Sequence, residues 1–329
     1  SMHLLETFLE KTERVPLMPA PTPLHRLHRL EEQWGCPKIY IKRDDMTGIG
    51  PGGNKIRSLE YILGEAVKEG SKVILAAGPA QSNLCTLTAA ACAKVGLDCE
   101  LVHNGTEPEK KQGNLLLNQI LGVKSHFLGD VDSDARNAFV EELFEKYRRE
   151  GRNPYVVRNG ATTGRGALGY TAAVPELMKQ CEAQGITGMT IFAPGGNGGV
   201  AAGLVYGNAV MGNPFRIVIV SVEDDKENLK KHIADTVREV EAITGIPAGK
   251  SVEELCSIED GFRGRGWGVN TSESAREIFE FARAEGIFIE NIYNSKVLVG
   301  MRDWLEKGKA KGPVCYLHTG GFGSLFAQY

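Results

Sequence analysis

Short apolar runs rich in Val, Ile, Leu and Tyr alternate along the chain with longer stretches whose apolar positions recur every three or four residues. The runs at 38–44, 72–78, 99–103, 124–129, 154–158, 189–195, 216–222 and 314–321 read as strands. The stretches at 56–70, 82–96, 110–122, 132–150, 166–185, 199–212, 225–245, 273–286 and 295–308 read as helices. Strands that alternate with helices and carry apolar residues at successive positions predict parallel sheets covered on both faces, an α/β fold. The strands outnumber what one sheet comfortably needs, so the pattern predicts two α/β units. Glycine-rich stretches at 49–54 and 159–166 are the candidate crossover points between them.

Composition narrows the function classes. The 329 residues carry a formal net charge of -3, with 42% hydrophobic and 24% charged residues. Such a balance shows no nucleic-acid footprint. No apolar run reaches the roughly 18 residues that a membrane helix needs. The opening SMHLLETFLEKTERV is acidic and lacks a small-residue cleavage site, so no secretory signal is expected there. The seven cysteines are odd in number and none has CxxC spacing, which predicts free thiols in a reducing cytoplasm and no zinc site.

Ligands of open α/β sheets bind beyond the carboxyl ends of strands, and four such ends carry chemistry. They are GGNK (52–55), GPAQSN (78–83), APGGNGG (193–199) and LHTGG (317–321). Lys55 sits where a glycine-rich loop enters a helix, a placement that lets its amine project into a cleft. Gly195, Gly196, Asn197, Gly198 and Gly199 join a strand to a small-residue helix, where consecutive N–H groups and the helix dipole form a phosphate cup. Two cofactors fit a cup of this kind. Gly196, Gly198 and Ala201 match GxGxxA, and Glu223 ends the next strand, as a dinucleotide fold of an NAD-dependent dehydrogenase requires. That reading leaves Lys55 and QSN unexplained. Pyridoxal 5'-phosphate (PLP) uses all four loops: it needs a Schiff-base lysine, a phosphate cup, a donor to its ring oxygen and a partner for its ring nitrogen. Lys55, the 196–199 cup, Asn83 and Thr319 can fill those roles. A hydroxyl facing the ring nitrogen leaves it largely unprotonated, which favours β-elimination over transamination.

The segments IKRDDMTG…GGNKIRSLEYIL, QSN…TAAACAKVGL, GALGY, EGIFIENIYNSKVLVGM and YLHTGG together resemble the D-cysteine desulfhydrase / 1-aminocyclopropane-1-carboxylate (ACC) deaminase family, from about Thr22 to the C-terminus. The resemblance implies a tryptophan-synthase-β-like fold (fold type II), PLP and a homodimer. It also implies a large PLP-binding domain of residues 1–57 plus 161–329 and a small domain of 58–160. By motif, Lys55 is the Schiff-base lysine and the base for the Cα proton, Ser82 lies near the substrate carboxylate, and Asn83 contacts the ring oxygen. Gly195 to Gly199 hold the phosphate, Tyr293 sits near the substrate, and Thr319 faces the ring nitrogen. The expected pocket comprises Asn54, Ser82, Leu84, Cys85, Arg165, Trp267, Tyr293 and Asn294.

Several of these positions depart from the family. Leu84 stands where His or Gln is usual after QSN. Asn294 stands where Thr or Glu follows the tyrosine, which argues against ring-opening ACC deamination. Trp267 replaces a second tyrosine, and Asn197 and Val200 replace Ser and Thr in the phosphate loop. Arg165 is unexpected and suits bidentate oxyanion recognition, pointing to an acidic or sulfonated substrate side chain. The expected reaction is elimination from a small β-substituted amino acid, with D-cysteine giving pyruvate, ammonia and hydrogen sulfide. Related ammonia-lyases and sulfo-lyases, with cysteate, diaminopropionate or serine as substrate, share the cofactor residues. The same residues would also serve ACC deamination, or PLP binding without catalysis.

Overall fold

The computed structural model describes residues 2–196, 199–264 and 271–328. In chain order the elements are α1 (Met2–Lys11), β1 (Leu24–Arg26), α2 (His28–Trp34), β2 (Ile39–Arg43), α3 (Lys55–Lys68), β3 (Val73–Gly78), α4 (Asn83–Val95), β4 (Asp98–His103), α5 (Asn114–Leu121), β5 (Lys124–Phe127), α6 (Ser133–Arg149) and β6 (Pro154–Val157). A 3-10 turn (Asn159–Ala161) leads into α7 (Gly164–Gln184), β7 (Thr190–Gly195), α8 (Gly199–Val210), β8 (Arg216–Ser221), α9 (Lys226–Thr244), α10 (Val252–Leu255), β9 (Ser257–Glu259), α11 (Ser272–Glu285), α12 (Asn294–Glu306), β10 (Val314–His318) and α13 (Phe322–Gln328).

The strands form two sheets, as the alternation predicts. One is six-stranded with order β1-β2-β10-β7-β8-β9, and the other four-stranded with order β5-β4-β3-β6. Strand partners run parallel throughout except at one edge, where β1 lies antiparallel to β2 with Leu24 opposite Lys42. That edge strand escapes a periodicity reading because it has three residues. The helices α1, α2, α10 and α13 and the strand β9 are likewise too short or too mixed in polarity to announce themselves. The run 314–321 ends as a strand at His318, because Gly320 and Gly321 take positive φ values of 95° and 91°.

Helix α7 lies at the centre. Gly203 lets α8 close on it, since a Cβ there would fall 2.5 Å from the Ala167 carbonyl oxygen. Gly169 lets α3 close on its other side, where a Cβ would fall 2.5 Å from the Arg57 backbone. A buried ionic cluster then pins the first turn of α3. Arg57 donates through Nε to Asp44 (2.7 Å) and through Nη2 to Glu176 (2.7 Å), and Tyr170 donates its hydroxyl to Asp44 (2.6 Å). Burial alone would raise the Asp44 carboxyl, but the Arg57 guanidinium overrides it and holds the group at about 2. Such a cluster adds little net stability while fixing one geometry. The geometry it fixes is that of the helix that begins at Lys55.

Candidate active site

Lys55 is the first residue of α3, two residues after Gly53. Gly53 pairs with Gly320 across an isolated antiparallel bridge, and the Asn54 amide donates to the Thr319 carbonyl (3.0 Å). The loop before Lys55 is therefore stitched to the loop after β10. On the other side, the Lys55 amine donates to the Gly160 carbonyl at 3.0 Å. Gly160 sits among three consecutive residues with positive φ, namely Asn159 (51°), Gly160 (61°) and Ala161 (68°). Two of these are not glycine, and strain of this kind persists where surrounding structure imposes it, often at functional sites. No carboxylate pairs with Lys55 among the described residues. Burial pushes its amine down to about 8, so a sizeable fraction is neutral and nucleophilic near neutral pH.

One cleft collects Asn54, Lys55, Ser82, Asn83, Leu84, Gly196, Tyr293 and Thr319 from loops that are far apart in sequence. Ser82 caps α4, its Oγ accepting from the Cys85 amide at 3.2 Å. Asn83 Oδ1 accepts from Asn114 Nδ2 at 2.9 Å, which fixes the face of its amide. Gly196 has no room for a side chain, since a Cβ would lie 2.7 Å from Val222 Cγ2 and 2.9 Å from the Tyr293 ring. Val200, in the first turn of α8, also lines the cleft.

Four sequence expectations are corrected by this geometry. Arg165 points away from the cleft. Its Nε donates to the Tyr61 carbonyl (2.7 Å) and its Nη2 to the Glu13 carbonyl (2.8 Å), so it ties α7 and α3 to the N-terminal segment. Cys85 is fully buried behind Gly78, and burial raises its thiol to about 11, which leaves it inert. Asn294 is a brace and not a wall. Its Nδ2 donates to Glu290 (2.8 Å) and to the Gly320 carbonyl (2.8 Å), and its Oδ1 accepts from the Tyr316 hydroxyl (2.6 Å) and the Thr319 amide (3.0 Å). Gly195, between the cleft-lining Pro194 and Gly196, faces the core, where a Cβ would meet Ile219 at 2.5 Å and Leu229 at 2.6 Å. Gly199 begins α8 beside Thr162. Asn197, Gly198 and Trp267 lie outside the described residues.

Some residues of the site carry no role assigned from the sequence, although Glu290 and Ile292 lie in EGIFIENIYNSKVLVGM and Gln81 in GPAQSN. Glu290 is buried and accepts from the amides of Ile292 (2.6 Å), Tyr293 (3.0 Å) and Asn294 (2.9 Å). Burial keeps its carboxyl raised despite these donors. It therefore sets the backbone turn that presents Tyr293. Arg136 reaches the cleft from α6, and Gln81, Gly160 and Ile292 are also among its lining residues.

The family profile described as "Pyridoxal-phosphate dependent enzyme" matches residues 15–320. The chain belongs to this PLP-dependent enzyme family. A curated relative from Pyrococcus horikoshii named "Putative 1-aminocyclopropane-1-carboxylate deaminase" is 35% identical over 318 residues, covering 97% of this chain and 94% of the relative. A crystal structure described as an ACC deaminase homologue superposes with a TM-score of 0.89 at 33% identity, covering 98% of this chain and 96% of that one. Diaminopropionate ammonia lyase from Escherichia coli shares the fold alone, with a TM-score of 0.63 at 16% identity over 98% of this chain and 87% of that one. The fold is that of the type II PLP enzymes, and the family acts on small amino acids. The dinucleotide reading built on Gly196, Gly198, Ala201 and Glu223 is thereby set aside. The described side chains fit PLP: a desolvated lysine without a carboxylate partner, a glycine wall at Gly196 leading to a helix start, and the Thr319 hydroxyl share one cleft. Among the described residues no helix is long and apolar enough to cross a membrane.

Proposed function

We propose that the chain is a lyase that eliminates the β-substituent of a small amino acid, with D-cysteine as reference substrate giving pyruvate, ammonia and hydrogen sulfide. The observation that carries this reading is the Lys55 amine, lowered to about 8 and lodged in a cleft with hydroxyl and amide groups. When bound, PLP supplies an electron sink for negative charge that develops at the substrate Cα. Lys55 is the residue to hold it covalently, Gly196 and the amides at the start of α8 to take its phosphate, Asn83 to meet its ring oxygen and Thr319 to face its ring nitrogen.

A base works best with a pKa near the working pH, which suits Lys55 Nζ to take the Cα proton. The N-terminus of α4, with Ser82 at its cap, offers a positive helix end to the substrate α-carboxylate. Tyr293, held by Glu290, lines the same space. A hydroxyl toward the ring nitrogen keeps the electron sink moderate, which favours elimination. Asn294 and Glu290 spend their hydrogen-bonding capacity inside the protein. No carboxylate lines the cleft among the described residues, which weighs against the acid-assisted ring opening that the relative's name suggests.

The proposal includes a homodimer, and a division into a unit of 1–57 plus 161–329 and a unit of 58–160. The separation of the two sheets supports that division, although residue 57 falls in the first turn of α3. The test is formation of pyruvate and ammonia from a panel of D- and L-amino acids, with ACC included. Turnover of β-substituted amino acids supports the reading. Turnover of ACC alone, with release of its four-carbon oxo acid, overturns it.

A further inference from the structure

Every backbone group of Thr319 and Gly320, in the loop after β10, has a partner. The Thr319 amide donates to Asn294 Oδ1 (3.0 Å), and the Thr319 carbonyl accepts from the Asn54 amide (3.0 Å). The Gly320 carbonyl accepts from Asn294 Nδ2 (2.8 Å), and the Gly320 amide donates to His318 Nδ1 (3.1 Å). Together these bonds hold Gly320 at its positive φ of 95°, and both residues line the cleft. Three of the four bonds are made with amide groups, which do not titrate. The fourth depends on an imidazole, which does.

The tautomer of His318 follows from its two partners. Nε2 lies 2.8 Å from the Phe288 carbonyl, which only accepts, so Nε2 carries the proton. Nδ1 is then bare and accepts from Gly320. A second proton would turn Nδ1 into a donor aimed at the Gly320 N–H, and that bond would be lost. Both residues are buried, so the stranded amide would carry the full cost of an unmade hydrogen bond.

The charged groups around His318 offer the cation little support. Asp45 Oδ2 lies 3.9 Å from Nε2, but Asp45 is paired with Arg43 (2.8 Å), the residue opposite His318 on β2. Asp44 is spent on Arg57 and Tyr170, and Glu290 on the amides that precede α12. The Tyr316 ring stacks on the imidazole at 5.8 Å, and its hydroxyl donates to Asn294. Burial therefore pushes the imidazole below its ordinary value.

We infer that His318 is a positioning residue for the cofactor ring: as the neutral Nε2–H tautomer it fixes Gly320 and so aims the Thr319 hydroxyl, and its protonation releases that loop. The inference rests on the placement of Thr319 at the ring nitrogen in the reading above. His318 touches neither cofactor nor substrate in this role. It acts through Gly320, and its signature is an acid limb on cofactor binding.

The test titrates PLP into wild type, His318→Asn and His318→Gln by visible absorbance between pH 5 and pH 9. The Asn amide oxygen can accept from Gly320 as Nδ1 does, and it cannot be protonated in this range. The longer Gln reaches toward the Phe288 carbonyl and leaves Gly320 without its acceptor. Lys55 and the cofactor's own groups titrate alike in all three proteins, so the ratio of wild-type to His318→Asn dissociation constants isolates His318. That ratio should be flat at alkaline pH and rise about tenfold per pH unit below the His318 pKa, which lies under the ordinary value of about 6.5. His318→Gln should bind about tenfold more weakly than His318→Asn at pH 8. Hydrogen exchange of the 319–320 amides in the wild-type holoenzyme gives a readout that needs no variant. Corrected for its intrinsic rate, it should quicken as pH falls through the same range. A ratio that stays flat to pH 5, exchange that does not quicken, or a His318→Gln that binds as well as His318→Asn would overturn the inference and leave the lyase reading intact. A wild type that binds no PLP at any pH overturns both.

Discussion

The Lys55 amine should titrate about two and a half units below an ordinary lysine, from 10.5 to about 8, because the cleft strips water from its ammonium form. The shift corresponds to about 3 kcal/mol of discrimination against the charged amine. At pH 7 about 9% of Lys55 would be neutral, against about 0.03% of a solvated lysine, a roughly 300-fold enrichment in nucleophile. The perturbation is pH itself, applied to the cofactor-free protein. Trace acetylation with peptide mass spectrometry reads the neutral fraction of each lysine separately. Lys55 labelling should rise tenfold per unit of pH at low pH and level off just above about 8, while surface lysines keep rising for about two more units. The sign also applies to stability. The unfolded chain binds the extra proton between about 8 and 10.5, so the cofactor-free protein gains stability as pH rises through that window. Replacing Lys55 with Met should abolish that increment. A Lys55 labelling profile that superposes on those of the surface lysines would refute the desolvation reasoning.

Gly196→Ala places a methyl against Val222 and the Tyr293 ring. It should cost about 1–3 kcal/mol in urea unfolding and weaken cofactor binding in a visible titration. Asn294→Leu strands the Tyr316 hydroxyl, the Thr319 amide and the Gly320 carbonyl. A loss of at least about 3 kcal/mol is expected, read by the same unfolding assay. Arg165→Gln removes bonds to the Glu13 and Tyr61 carbonyls and should lower stability by about 1–3 kcal/mol while leaving kcat/KM within about twofold of wild type. A large kinetic defect would return Arg165 to the active site. Asp44, held at about 2 against 3.8, contributes stability above the unfolded value that disappears as pH falls through the folded one. The loss is about 2 kcal/mol, and Asp44→Asn should lack it in acid unfolding curves.

The two sheets and the loops at 52–55, 78–83 and 317–321 were legible because strand–helix alternation and glycine placement are local signals. What remained hidden depends on which faces meet. Arg136 occupies an ordinary-looking polar position on α6, and only the packing of that helix over β3 brings it into the cleft. Arg165 lies in a glycine-rich stretch that reads as a site, yet the first turn of α7 aims it at Glu13 and Tyr61. Asn294 follows the site tyrosine in sequence, but helix α12 begins there and rotates its side chain inward, toward Tyr316 and Gly320. Glu290 lies inside a segment that carries the resemblance, yet nothing there marks its role: a carboxylate four residues before an asparagine is commonplace until both are buried together.

Borohydride reduction of the PLP-loaded protein, followed by peptide mapping, tests the central claim most directly, because it fixes the cofactor to whichever lysine holds it. The pyridoxyl mass should appear on the peptide carrying Lys55 and vanish in Lys55→Ala. Its appearance on another buried lysine, such as Lys42 or Lys296, or its absence altogether, would contradict the account.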